Sequence, residues 1–177
     1  MSAHTIEVNR APVLTLWGAV VAERLGHDRE AALTLGRAVA GLNAQTKGRH
    51  LGVFDEPAAR APQRRGARAS RRRERLVPLL GRSVPAVDTG RGLRAAEGGR
   101  PVSSTGVERY LRGKFGEALP DARAAMEELA AAYEPPRLEE VAFALYERFR
   151  PRIPSGVRGW GAKGVLDLDV VRSLAAE

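Results

Sequence analysis

The chain has 177 residues, 44% apolar but only 5% aromatic, and a net charge of +8 from 29 basic and 21 acidic side chains. That length fits one domain with a core of small side chains. Cysteine is absent, which excludes disulfides, thiolate metal sites and thiol nucleophiles.

The segment from Met1 to Thr5 lacks the charged start and apolar run of a secretory signal. The longest apolar stretch, Val13 to Ala22, ends at Glu23-Arg24 and is too short to span a bilayer. The expectation is a soluble, cytoplasmic protein with no membrane partner.

In chain order, a first helix is expected from Ala11-Pro12 to Leu25, since Pro suits the first helical position and Gly26 a C-terminal stop. Asp28 is the expected cap of a second helix reaching Asn43. Its Ala32, Gly36 and Ala40 recur every four residues and leave one face bare enough for close helix approach. The short link between the two helices makes them neighbours.

Residues 44–75 read as irregular, broken by Gly48, Gly52, Pro57, Pro62 and Gly66. From Arg60 to Arg75 there are eight arginines and almost no large apolar side chain, the composition of a flexible segment. Leu76 to Val87 leaves room for a short β-hairpin, although Pro78 and Pro85 argue against a central strand. Gly90 to Arg100 reads as loop.

Thr105 to Glu108 matches a capping box, followed by Val107, Tyr110, Leu111 and Phe115 at helical spacing. Asp121 opens a further helix with Ala122, Ala125, Met126, Leu129 and Tyr133 on one stripe. Pro135-Pro136 ends it. Another helix spans Arg137 to Phe149, and after a glycine-rich loop a last one covers Asp169 to Ala175.

The fold class expected is therefore all-α: a bundle of about six helices, with room for the hairpin near 76–87 and a flexible arginine-rich insertion. The parts are residues 1–56, an N-terminal helix pair; 57–100, the insertion; and 101–177, helices that pack on the first pair as one domain.

Charge is segregated. Residues 57–100 hold twelve arginines against Glu74, Asp88 and Glu97, a net of +9, so the remainder sums to about −1. Coding bias toward GC-rich codons accounts for 26 arginines beside three lysines, but not for their concentration in one segment.

Residues 18–37 resemble the helix-turn-helix pattern. Ala22 falls at its small position, Gly26 at its turn glycine, and Val21, Leu25 and Leu35 at core positions. His27 and Ala32 depart from it. The resemblance implies that the second helix enters the major groove. However, Asp28 and Glu30 would repel phosphates there, and Leu33 stands where a polar reader is expected. A DNA reader should present Thr34 and Arg37 outward; a structural module should bury this helix on most sides.

Gly159 to Gly164 spells GxGxxG, but prolines precede it and only 13 residues follow, so neither a dinucleotide nor a Walker site fits. His4, His27 and His50 lie far apart, and Glu127-Glu128 and Glu139-Glu140 are adjacent pairs that split around a helix. No catalytic, metal or cofactor site is expected, and no enzyme.

The functional expectation is sequence-independent nucleic-acid binding. Phosphate contacts would come from Arg60, Arg64, Arg65, Arg68, Arg71, Arg72, Arg73 and Arg75, with Arg37 beside them. No aromatic residue lies between Arg60 and Arg75 to stack on bases. The alternative is a protein-interaction or structural module. Its basic arm would meet an acidic protein, with Arg158, Trp160 and Lys163 as a second contact.

Overall fold

The computed structural model describes residues 5–50, 74–153 and 163–176. At its centre lies α1 (Arg10–Arg24), in which every residue from Pro12 to Ala22 is buried. A helix apolar on all sides requires that surrounding. Gly26 closes the following turn at φ 112°, a conformation that a side chain disfavours. Asp28 then caps α2 (Arg29–His50), its Oδ1 accepting from the Ala31 amide at 2.8 Å.

The bare stripe on α2 has its expected use. A Cβ built on Gly36 would stand 2.3 Å from the Thr15 carbonyl oxygen and 2.7 Å from the Ala19 nitrogen. One on Gly18 would stand 2.9 Å from the Gly36 α-carbon. The two helices run antiparallel with backbones touching here. α2 continues to His50, past the Asn43 limit expected from sequence. Glycines inside a helix cost only about 1 kcal/mol each relative to Ala, so Gly41 and Gly48 do not end it.

The all-α expectation is overturned by two β-sheets. Part of the expected flexible insertion is an antiparallel meander: β2 (Glu74–Leu79), β3 (Arg82–Thr89), β4 (Gly92–Glu97) and β5 (Arg100–Pro101), in that spatial order. Residues 90–100, read as loop, supply two of its strands. The turns are two residues long. Leu80-Gly81 and Gly98-Gly99 have positive φ at both positions (53° and 75°, 58° and 81°), the twist that tight hairpins favour.

The prolines fit because of register. A two-residue turn makes Leu79–Arg82 a hydrogen-bonded pair, so Pro78 and Pro85 take non-bonded positions opposite Ser83 and Leu76. The missing Pro78 donor points to the open edge of β2. Pro85 lies just beyond the β3–β4 ladder, which spans Ala86 to Thr89. Val77, Leu79, Val84, Ala86 and Ala95 are buried in the common core. The Thr34 hydroxyl accepts from the Ala95 amide at 2.9 Å, and Arg94 Nη2 meets Glu30 Oε2 at 2.6 Å, so α2 is fastened to β4 twice.

In the C-terminal part, α3 (Ser104–Phe115) is capped by Ser103, whose Oγ accepts from the Gly106 amide, not by Thr105. A 3₁₀ turn leads to α4 (Leu119–Ala131). Pro135-Pro136 opens α5 (Pro135–Phe149) instead of only ending its predecessor. Both α4 and α5 pack on α1. Trp17 Nε1 donates to the Ala142 carbonyl at 2.9 Å, and its ring meets Phe149 edge-on at 5.3 Å. Arg123 bridges Glu23 on α1 and Glu127 on α4.

The second sheet pairs β1 (Thr5–Val8) with β6 (Gly164–Asp167), antiparallel from Thr5–Asp167 to Val8–Gly164. Arg152 bridges the other side of β6 at Val165. Asp167 caps α6 (Leu168–Ala175), which packs on α4. Among the described residues, no helix is long and apolar enough to cross a membrane.

Candidate nucleic-acid interface

Of the arginines named from sequence, Arg60, Arg64, Arg65, Arg68, Arg71, Arg72 and Arg73 lie outside the described residues, as do Arg158 and Trp160. Their flanks are described. The described residues nearest to the arginine segment are His50, the C-terminal end of α2, and Glu74 in β2. Arg75, next to Glu74, lines a groove together with His27, Asp28 and Ala31 at the N-terminal end of α2. At 1.5 Å per residue, His50 and the groove at Arg75 are separated by on the order of 30 Å along α2.

The second helix is placed unlike a groove reader. Thr34, expected outward in a DNA reader, is fully buried. Its hydroxyl donates to the Ala31 carbonyl at 2.8 Å while accepting from Ala95. Ala31, Ala32, Leu33, Leu35, Ala38, Val39 and Ala40 are buried as well. The helix is enclosed by α1, β3, β4 and α3.

Arg37 is half-buried, and its guanidinium carbon sits 4.3 Å from the centroid of the Tyr110 ring on α3. Lys114 reaches the same ring, its Nζ at 6.0 Å. Burial raises the Tyr110 hydroxyl pKa above its usual value, against the pull of Arg37. Two cations therefore gather on one aromatic ring midway along α2. Sequence reasoning named Arg37 but missed Lys114. The signal was present, because Tyr110 and Lys114 are four residues apart and share a helix face.

Arg75 is engaged by Asp88 across the hairpin at 2.5 Å, with both side chains more than half exposed. It belongs to the rim of the groove, a cavity of about 660 Å³ between β2, the α1–α2 turn and the start of α5. Leu76 is 64% exposed on the open strand beside it. Lys163 is exposed just before β6. Gly164 opens a strand where the dinucleotide fingerprint would need a helix, and the rest of that motif lies outside the described residues. Among the described residues, no group of three acids or histidines could hold a metal ion.

No known protein family, curated protein or solved structure matches this chain.

Proposed function

We propose that the protein binds nucleic acid through its phosphates, with the arginine segment as the contact and the folded body as its frame. The observation that carries this reading is the segregated charge. A net of +9 in residues 57–100 sits on a body of about −1. Enclosure of α2 argues against major-groove reading by that helix, so binding is independent of base sequence. Arg37 and Lys114 add positive charge on the body, at the Tyr110 ring.

The test is duplex DNA and RNA binding against salt, for the intact protein and for a deletion of residues 58–73. If about five phosphates are neutralised, the log–log slope on DNA is near −4.5 and affinity falls roughly 500-fold between 50 and 200 mM salt. The deletion should abolish that slope. Absence of binding by the intact protein at 50 mM salt would refute the proposal.

One observation favours the other reading, an interaction module whose arm meets an acidic protein. The groove beside the open edge of β2, with Leu76 exposed, suits an extended polypeptide. A negative result with both nucleic acids, followed by saturable binding of an acidic peptide, would establish it.

A further inference from the structure

We infer that Arg10, Arg150 and Arg152 form a second anion site, on the body itself, that takes one phosphate group. The inference extends the phosphate-binding reading to a new place. α5 ends at Phe149, and Arg150 leaves it in an extended conformation, φ −52° and ψ 149°. Arg152 then bridges β6 through paired backbone bonds with Val165, each 3.0 Å. Arg150 and Arg152 both line one cleft, while Pro151 between them is buried.

Arg10, in the first turn of α1, joins them. Its Nε donates to the Pro151 carbonyl at 3.0 Å, which anchors the guanidinium on the peptide between the two arginines. The like charge of Arg150 is near enough to lower the Arg10 pKa, behind the larger effect of burial. Among the described residues none of the three pairs with a carboxylate. Arg150 and Arg152 line a small cleft of about 170 Å³ together with Arg148 and Asp167, and Arg10 is tied to it through Pro151; Asp167 brings one negative charge there, its Oδ1 accepting from the Asp169 amide at 2.9 Å. The arginines outnumber the one carboxylate of the cleft, so a positive excess remains, and guanidinium groups, each a planar fork of donors, suit a phosphate oxyanion.

Position links this cleft to the arginine segment. α1 and α2 cross at Gly18 and Gly36, and both Arg10 and Ala44 lie eight residues from that crossing, in the direction of the same end of the pair. The cleft therefore shares the end of the molecule at which α2 runs out to His50. A phosphate there comes either from the strand held by the arm or from free phosphate.

Nitrogen-15 NMR of the intact protein tests this with inorganic phosphate, then with a 12-base-pair duplex. Phosphate should move the Arg10 Nε and the Arg152 and Val165 amide signals saturably, and Arg150→Gln/Arg152→Gln should lose the response. Those signals standing still up to about 50 mM phosphate would overturn the site, whatever the arm does. Should the double variant lose its fold, the exposed Arg152→Gln alone is read instead, with the response at least threefold weaker. In the duplex experiment a strand source lowers the salt slope of the double variant by about 0.9 relative to the intact protein. A saturable phosphate response with the slope unchanged assigns the site to free phosphate. If the intact protein fails to bind duplex but phosphate still moves the signals, the arm reading falls and the cleft stands.

Discussion

The hydroxyl of Thr34 accepts a hydrogen bond from the backbone amide of Ala95 at 2.9 Å, so a helix side chain completes the pairing of a strand edge. The β4–β5 ladder is short, and Val102 leaves it after donating to the Ala95 carbonyl. Without Thr34 the buried Ala95 amide has no acceptor. Thr34→Val keeps the shape and removes the acceptor, and should cost about 1–3 kcal/mol. Urea unfolding should show a lower midpoint with an unchanged m-value. An unchanged midpoint would mean that water or backbone movement replaces the hydroxyl.

Gly36→Ala should be more damaging, although the change adds one methyl group. The new carbon would meet backbone atoms of Thr15 and Ala19, which cannot swing aside as a flexible side chain can. Overpacking typically costs about 1–3 kcal/mol and more where backbone must shift; about 3 kcal/mol or more is expected here. Gly41→Ala is the control. Its Cβ would meet nothing nearer than a Glu97 carboxylate oxygen at 3.8 Å, and it should be neutral or stabilising. Equal melting temperatures for the two variants would contradict the close crossing.

Tyr146 sets a pH dependence. Burial pushes its hydroxyl pKa up to about 12, with Arg10 and Arg150 opposing. In the unfolded chain a tyrosine ionises near pH 10. Between about pH 10 and 12 the folded state thus holds a proton that the unfolded state has lost, and stability falls as pH rises. Tyr146→Phe should flatten this decline, as read from urea midpoints at pH 9 and 11. A parallel decline in both proteins would assign it to other groups.

Deleting residues 58–73 should leave the far-ultraviolet circular dichroism of the helices nearly unchanged. The cut must stop there. Removing Arg75 as well would take out a residue of β2 that pairs with Ala86 and with the Asp88 carboxylate. A large loss of helix signal from the shorter deletion would show that the arginine segment supports the core.

The helices were legible from their apolar content, a continuous run in α1 and a 3.6-residue face such as Leu138–Leu145–Phe149 in α5, and from local start and stop signals such as Asp28 and Gly26. The Ala32–Gly36–Ala40 stripe even disclosed the crossing. The sheets were not legible. β4 and β5 are short and rich in glycine, alanine and arginine, and their pairing depends on turns with positive φ. Prolines in β2 and β3 argued against strands until register showed that neither position needed a donor. Of the candidate sites, the arginine segment was visible as composition. The Arg10–Arg150 encounter was not, because residues so far apart in sequence meet only through the packing of α5 on α1.

The pairing of β1 with β6 also orders events in time. Residues 5 and 167 must find each other across nearly the whole chain, whereas α1 and α2 meet across one tight turn. Loop-closure entropy makes the distant pairing slow, since its cost must be met before any contact rewards it. The small sheet therefore closes late in folding. The bridge at Arg152 depends on that closure, so the cleft exists only in chains that have finished folding, and an anion bound there slows their reopening.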